Sequence, residues 1–222
     1  MGAFSGPEIN EDGLVLALDA GNTKSYPSSG GSTWYDLIGG RQATLTGSPT
    51  HTENYLSFDG STQYASFSSS VEVSTAGFTM AFLMKVPSSQ VGTGWNFMLA
   101  DRDYGSGDYE IGIYNINTTT FIFKENASSP NTISESLGTD WVYLVFGMNT
   151  SLVPFIYKNG VATDYGSNTF VSSTLDFTHL FSNDSGNNKF KCDCSYIHLY
   201  NRELTASEIQ QNFNALRGRF GI

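Results

Sequence analysis

Short runs of alternating apolar and polar residues recur along the chain and are separated by polar, glycine-containing turns. Side chains on a β-strand point to opposite faces at successive residues, so this alternation predicts strands whose two faces meet different surroundings. The clearest case is residues 192–200, whose even-numbered residues are expected on one face and whose odd-numbered residues are expected on the other. About a dozen such segments without an interior helical pattern exclude Rossmann and α/β-barrel folds and predict an all-β domain.

A helical pattern follows this last strand. Thr205 and Glu208 have the spacing of a capping box, in which each side chain accepts a hydrogen bond from the backbone N–H of the other residue. Ile209, Phe213 and Leu216 then recur at helical spacing. The sequence therefore predicts a short C-terminal helix with one apolar face.

Composition and charge narrow the range of partners. Aromatic residues make up 14% of the chain, and 23 glycines suit many short strands joined by tight turns. The formal net charge is −10. An acidic surface repels nucleic-acid phosphates and anionic lipid head groups, so neither nucleic acid nor a membrane is expected as a partner.

The two cysteines are expected to be buried free thiols. Cys192 and Cys194 are two residues apart on one strand, where their Cβ atoms would lie about 7 Å apart. That separation is too long for an unstrained disulfide, and two thiols do not make a zinc site.

The segment 196–209 resembles the closing motif of the laminin-G-like domains, which are concanavalin A-like lectin/glucanase jelly rolls. That motif is a strand ending in Tyr-Asn-Arg, followed by Leu, a Ser/Thr cap and Glu-Ile. Further segments resemble other parts of the family in the family's own order: 13–22, 33–37, 56–60, 141–145 and 157–161. The resemblance implies an all-β jelly-roll sandwich of two antiparallel sheets with a short C-terminal helix, in which the first and last strands are neighbours.

The two ends of the chain resemble a narrower group. Segments 19–27 and 212–222 are similar to jelly-roll structural proteins of tailed phages, notably phages of marine and aquatic bacteria. This resemblance implies a place on the capsid or tail surface of a virion. It also implies other virion proteins, or further copies of this chain, as partners, with host-surface glycans as ligands.

The domain organisation is predicted to be simple. Residues 1–12 have neither a basic start nor an apolar run, so they are not a secretion signal, and synthesis in the host cytoplasm is expected. This segment is predicted to be a flexible arm, either free or lying against a neighbouring subunit. Residues 13–222 are predicted to form a single jelly-roll domain.

Loop aromatics are the candidate ligand-binding residues. Aromatic rings stack on sugar faces, and Trp34, Tyr35, Tyr104 and Tyr109 lie in predicted loops or bends. Each of them could instead pack against the core, with Trp34 acting as a lid.

The acidic segment 101–110 is the candidate metal site. Asp101, Asp103 and Asp108 could supply oxygen ligands to calcium from a glycine-containing loop. The segment is not an EF-hand, because Ser106 and Gly112 stand where that motif needs Gly and Glu. A solvated hairpin tip without metal is the alternative, and no other cofactor is expected.

The sequence gives no sign of catalysis. Retaining glycosidases of the resembled family carry the run Glu-x-Asp-x-(x)-Glu on one strand face, and this chain does not. None of the three histidines has a sequence-local partner that suggests a triad. We therefore predict that the chain is not an enzyme. The first hypothesis is a virion structural protein that contacts glycans; the alternatives are a free carbohydrate-binding lectin or accessory module and, third, a glycoside hydrolase.

Overall fold

A computed structural model describes residues 8–73, 77–88, 94–101, 110–115, 120–124, 132–166, 169, 175–183 and 185–222. These residues contain the strands β1 (Leu14–Asp19), β2 (Thr33–Tyr35), β3 (Gln42–Thr46), β4 (Thr50–Thr52), β5 (Tyr55–Asp59), β6 (Tyr64–Val73), β7 (Phe78–Lys85), β8 (Gly94–Asn96), β9 (Leu99–Asp101), β10 (Glu110–Asn115), β11 (Thr120–Lys124), β12 (Thr132–Ser136), β13 (Trp141–Met148), β14 (Pro154–Lys158), β15 (Val161–Tyr165), β16 (Leu175–Leu180) and β17 (Lys191–Tyr200). The helix α1 (Ala206–Leu216) follows and continues into a 3-10 turn, Arg217–Arg219. No helix in the described ranges is long and apolar enough to cross a membrane.

The strands form an antiparallel sandwich. The main sheet has the order β15-β14-β13-β7-β17-β5-β4, and β1 also pairs with β17. The second sheet has the order β2-β3-β6-β16-β9, and a smaller sheet, β12-β11-β10-β8, adjoins it where β10 lies against β9. The pairing of β1 with β17 confirms that the first and last strands are neighbours.

The core lies between the main and second sheets. On the main sheet, β7 and β13 direct their even-numbered residues into this core, including Phe82 and Phe146, whose rings stack 5.9 Å apart. The second sheet contributes Phe67 and Phe177, and Phe181 just after β16 contacts the ring of Phe82. We call the core-facing side of the main sheet its inner face and the other side its outer face. The predicted two-layer all-β sandwich is confirmed.

A β-bulge in β17 changes which residues share a face. The register of β17 against β7 shifts between Cys194 and Tyr196. Cys192 and Cys194 belong to the inner core as free thiols, whereas Tyr196 and Tyr200 belong to a second apolar cluster on the outer face. The prediction that all even-numbered residues of 192–200 share one face is wrong, because the extra residue of a bulge reverses the alternation beyond it. The expectation of buried free thiols is confirmed.

The extra residue of this bulge is Ser195. Its hydroxyl donates to the Asn54 carbonyl at 2.8 Å, and its own carbonyl accepts from the Ala20 N–H at 2.8 Å. These bonds satisfy groups that the interrupted ladder leaves without strand partners, which stabilises the bulge.

The helix α1 covers part of the outer face. Its predicted capping box is present: the Glu208 N–H donates to Thr205 Oγ1 at 3.3 Å, and the Thr205 N–H donates to Glu208 Oε2 at 2.8 Å. Ile209 and Phe213 are buried against the outer face. The main sheet is therefore covered on both sides over this part of its area.

Residues 8–12, which the sequence assigns to a flexible arm, are hydrogen-bonded to the rest of the domain. The Asn10 N–H donates to Asn212 Oδ1 at 2.7 Å, and the Asn10 carbonyl accepts from the Tyr200 hydroxyl at 2.9 Å. Arg202 also donates to the Asp12 carbonyl at 3.0 Å. This part of the segment therefore belongs to the domain that the sequence prediction begins at residue 13.

Candidate functional site

A row of directly opposed residues crosses the outer face of the main sheet at the end away from α1. Trp141 on β13 pairs with Lys85 on β7, Lys85 pairs with Asp193 on β17, and the row continues through Ser57 on β5 to Thr50 on β4. Residues directly opposite each other in antiparallel strands point to the same face. Adjacent strands lie about 4.8 Å apart, so this outer row spans about 19 Å.

The alternation of side chains along each strand shows that this row lies on the outer face. On β7 and β17 the neighbours of Lys85 and Asp193 are the inner-core residues Met84 and Cys192. Thr50 is exposed, and the other four members of the row are half-buried. The outer row is therefore a mainly polar and partly accessible strip on the outer face of the main sheet.

A concave pocket of about 380 Å³ opens beside one end of the outer row. Two of its lining residues, Phe58 and Cys192, are only 2% and 1% exposed and belong to the inner core, so their side chains offer a ligand almost no surface. The accessible lining is therefore mainly polar. The lining residues are Thr50, Ser57, Phe58, Asp59, Gln63, Pro87, Lys191, Cys192 and Asp193.

Asp193 is oriented by its neighbour on β5. The Ser57 hydroxyl donates to Asp193 Oδ1 at 2.5 Å, which leaves the second carboxylate oxygen outside this bond. Charge-assisted bonds of this length hold both side chains in defined positions. The pocket therefore presents an oriented acceptor beside the Ser57 hydroxyl.

Asp59 forms the other acidic side of the pocket and has a turn-forming role. Its carboxylate accepts from the Thr62 hydroxyl at 2.6 Å and from the backbone N–H groups of Ser61, Thr62 and Gln63 at 2.8 to 3.0 Å. Burial acts to raise the pKa of this carboxyl, but the hydrogen bonds outweigh burial and hold the pKa well below its usual range. Asp59 is therefore a fixed anion at any ordinary pH.

Hydrogen bonds also hold the side chain of Gln63 in place. Its side-chain oxygen accepts from the Asp59 N–H at 2.9 Å, and its amide nitrogen donates to the carbonyls of Gly47 and Ser48 at 3.2 and 3.1 Å. Because these bonds cross from one loop to another, they fix the rim of the pocket in place.

An aromatic cluster lies beside the outer row. The Trp141 ring stacks on Phe220 with a centroid distance of 3.8 Å and meets the edge of Tyr55 at 5.2 Å. Phe220 follows the 3-10 turn, so the C-terminal segment reaches as far as Trp141. Because Tyr55 lies on β5 and Trp141 on β13, this aromatic cluster crosses the two strands between them, β7 and β17.

The covered half of the outer face contains buried titratable groups. His198 is 5% exposed and lies between Tyr196 and Tyr200, with ring centroids at 4.8 and 6.4 Å. Burial lowers the pKa of His198 to about 4, so the ring is neutral near neutral pH. Burial also raises the pKa of Tyr200 to about 12. These groups pack beneath α1 and do not line the pocket.

An ion pair closes this covered half. The Arg219 guanidinium donates to both carboxylate oxygens of Asp19, at 2.6 and 3.0 Å. Burial acts to lower the pKa of Arg219, but the bonds to Asp19 raise it overall. The pair joins the end of the first strand to the end of the chain that follows α1.

The aromatic residues predicted as ligands do not meet in one site. Trp34 on β2 is fully buried in the inner core, so its ring has the packing role and no face open to a sugar. Tyr35 is 38% exposed, on the strand at the other edge of the second sheet from β9. Tyr104 and Tyr109 lie outside the described residues.

The predicted calcium ligands also lie largely beyond the described part of the chain. The backbone of Asp101 ends β9, whereas Asp103 and Asp108 are outside the described residues. Among the side chains that the structure describes, no group of three or more His, Cys, Asp or Glu residues could hold a metal ion.

Sequence reasoning missed the pocket because its residues come from segments far apart in the chain. Thr50, Ser57 and Asp193 each look like an ordinary polar position in an alternating strand. A signal was present in Asp193, an acidic residue between two buried cysteines, but its cross-strand partners depend on the register of β17.

Residues 59–210 match the family model described as the concanavalin A-like lectin/glucanases superfamily. The chain belongs to this superfamily. The match confirms the jelly-roll resemblance found in the sequence. A search of the curated proteins found no match.

Solved structures from this fold are similar along nearly the whole chain. A mutant Trypanosoma rangeli sialidase with trans-sialidase activity matches with a TM-score of 0.68 and 20% identity over 94% of this chain and 33% of that chain. T. rangeli sialidase in complex with sialic acid gives 0.65 and 19%, over 93% and 33% of the two chains. A botulinum neurotoxin type C chain, described as interacting with two ganglioside molecules, gives 0.62 and 16%, over 92% and 51%. The chain thus spans about a third to a half of these proteins, and identities this low show the fold alone.

The comparisons correct one prediction. The sequence was interpreted as that of a protein that is not an enzyme, but similar structures include sialidases and a variant with trans-sialidase activity. The fold is shared by enzymes and by domains that bind other molecules. A missing glycosidase run in the sequence therefore does not exclude catalysis.

Proposed function

We propose that this domain binds carbohydrate, with the pocket and the adjoining outer row as its site. The observation that carries the proposal is the pocket itself, a concave site in which Ser57 and Asp193 are held by a mutual hydrogen bond and Asp59 and Gln63 by the bonds of their turn. A sugar ring has apolar C–H faces and a rim of hydroxyls, so it suits a concave site with few, well-placed hydrogen-bonding groups.

The hydrogen bonds of the pocket support this proposal. Asp193 and Ser57 are already bonded to each other, so they offer an acceptor and a hydroxyl without ordering a mobile side chain on binding. The superfamily and the similar structures add support, since sialidase is found with sialic acid and botulinum neurotoxin type C is described with gangliosides.

A glycan array tests the proposal. The wild-type protein is expected to bind a subset of glycans, and Asp193→Asn should weaken binding about tenfold, because a charge-assisted acceptor is lost. Glu72→Gln is the matched control, since Glu72 is an exposed carboxylate on β6 of the other sheet. Silence across the array, or equal binding by both variants, would contradict the proposal.

Two further measurements on the same array test for calcium dependence and for cleavage of the glycans. Running it with and without calcium tests the proposed calcium ligands Asp101, Asp103 and Asp108, with calcium-dependent binding expected if they act. Measuring released sugar in the same wells shows whether bound glycans are also cleaved.

We also propose that the domain is displayed on the surface of a tailed-phage virion, where it is expected to associate with other virion proteins or further copies of itself. The support is the resemblance of segments 19–27 and 212–222, which meet through the ion pair of Asp19 and Arg219. Mass spectrometry of purified particles should find many copies of the chain. Absence from the particles would remove this location and leave the glycan proposal unaffected.

A further inference from the structure

The helix α1 and the 3-10 turn after it form a cover over half of the outer face. Ile209 and Phe213 are the buried apolar residues of the helix, and the Phe213 ring stacks on Tyr143 of β13 with a centroid distance of 5.9 Å. The helix begins just after Leu204, whose N–H donates to Thr79 Oγ1 of β7 at 2.9 Å. The chain is therefore fixed to the sheet where the cover begins, whereas a small apolar contact holds the helix itself.

The interface beneath the cover contains polar atoms without partners. The Tyr196 hydroxyl and His198 Nδ1 are buried there, and no group among the described residues forms a hydrogen bond with either of them. A buried polar atom of this kind costs free energy, which it regains when water reaches it. The cost disappears when the cover lifts, so it favours opening of the cover without unfolding of the two sheets.

Polar contacts at its edges hold the cover in place. Arg219 in the 3-10 turn bonds to both carboxylate oxygens of Asp19 at the end of β1, and Asn212 of α1 donates to the Tyr200 hydroxyl at 3.0 Å. A partly exposed ion pair and a single hydrogen bond each contribute little to stability in water. We therefore expect the closed cover to be less stable against opening than the sandwich is against unfolding.

The groups around His198 offer an added proton no compensation. The residues opposite it on β7 and β1, beside it on β17 and above it on α1 are Ala81, Ala17, Tyr196, Tyr200, Ile209 and Phe213. Ionisable side chains on the surrounding elements are Tyr143, Tyr157, Tyr196, Tyr200, Asp19, Glu208 and Arg219. Burial raises the pKa of these tyrosines, so they stay neutral.

The two charges that act on His198 oppose each other. Burial lowers the pKa of His198, the Asp19 carboxylate raises it, and the Arg219 guanidinium lowers it. Both oxygens of Asp19 are already bonded to Arg219. An imidazolium beneath the closed cover would therefore carry an Nδ1–H without an acceptor and without water, so protonation and opening are linked.

We propose that the cover is an acid-sensitive device, which opens from the outer face when His198 takes up a proton while the two sheets stay folded. Opening gives the imidazolium and the Tyr196 hydroxyl access to water. It also exposes the rings of Tyr143 and Tyr196 as an aromatic surface that is buried near neutral pH. The inference does not depend on the proposed glycan binding.

Hydrogen exchange of backbone amides at pH 7.5 and pH 5.5 tests the inference. This range lies above the ordinary pKa of carboxyl groups, about 4, so the ion pairs at the edges of the cover keep their charges. An exposed histidine has a pKa of 6.5, against about 4 beneath the cover. The opening constant of α1 should therefore rise about tenfold between these two pH values.

Protection factors, which are corrected for the intrinsic exchange rate, give this constant for α1 and for β7 in the same wild-type sample. Amides of α1 should be less protected than those of β7 by about tenfold or more at both pH values, because the cover opens without the sheet. Equal protection in α1 and β7 would show a single cooperative unit and overturn the inference. Protection of α1 that does not change with pH would also overturn it.

Two histidine variants identify the group that takes up the proton. His198→Gln should remove the tenfold change in α1, whereas His179→Gln, on β16 of the second sheet, should leave it unchanged. A tenfold change that persists in His198→Gln would contradict the role of His198. The comparison of α1 with β7 uses the wild-type protein alone, so it decides between the outcomes whether or not this variant folds.

Discussion

The two faces of the main sheet differ in chemistry although they share the same strands. On the inner face, Phe82, Met84 and Leu144 pack into a continuous apolar core against the second sheet. On the outer face, Tyr196 and Tyr200 pack beneath α1 in one half, and the polar outer row occupies the other. The comparison shows that both faces bury apolar residues, but that only the outer face also leaves room for accessible hydrogen-bonding groups.

The largest expected effect comes from breaking the inner face. Phe82→Ala removes a ring with no exposed surface that contacts Phe146 and Phe181. We expect the free energy of unfolding to fall by about 3–5 kcal/mol, from lost transfer energy and the remaining cavity. Chemical denaturation measures the loss. Tyr165→Ala, at a position 53% exposed, should cost about 1 kcal/mol or less. Similar losses at both positions would contradict the assignment of the inner face as the core.

The buried His198 in the covered half of the outer face should make the free energy of unfolding depend on pH. The pKa of His198 is about 4 in the folded protein, against an ordinary value of 6.5, so the unfolded chain takes up the proton first as the pH falls. Stability is then complete above pH 6.5 and decreases towards pH 4, by about 3 kcal/mol for a fully buried ring.

Two measurements check this dependence. Denaturation of the wild type at several pH values between 6.5 and 4 should show the decrease, and His198→Gln should flatten it. NMR titration of the imidazole gives the folded-state pKa directly. A pKa near 6.5 would show that the ring is not buried beneath α1 as described.

The contact between α1 and the N-terminal segment is expected to contribute less to the free energy of unfolding. Asn212 is fully buried and joins the Tyr200 hydroxyl to the Asn10 N–H. Asn212→Ala leaves both groups without this partner and should cost about 1–3 kcal/mol in thermal or chemical unfolding. Asn214→Ala, an exposed position on the same helix, is the matched control and should change stability by about 0.5 kcal/mol or less. Equal effects would show that residues 8–12 are not anchored there.

The smallest effect on stability is expected in the outer row. Ser57→Ala removes one hydrogen bond to a half-buried carboxylate, so the free energy of unfolding should change by about 1 kcal/mol or less. Glycan affinity should fall about fivefold to tenfold, because Asp193 loses its orientation. Denaturation and calorimetry on the same preparation separate these two results. A large loss of stability with unchanged binding would make Ser57 structural.

Particular residues show why the fold was predictable and the site was not. The capping box of Thr205 and Glu208 and the strand alternation act over a few residues, so they are visible in the sequence and were confirmed. All even-numbered residues of 192–200 were predicted to lie on one face, which is wrong. An inserted bulge residue such as Ser195 cannot be recognised from the neighbouring sequence. Loop aromatics suggested a sugar site, yet Trp34 lies in the core.

The sequence by itself determined the class of fold, the neighbouring positions of the first and last strands, the C-terminal helix and the state of the cysteines. These properties follow from local periodicity, capping and family motifs. Only the tertiary structure decided that Thr50, Ser57, Lys85, Asp193 and Trp141 stand in one row. The register between strands that are distant in sequence fixes such a row, and register is set by packing of the whole sheet and by one bulge.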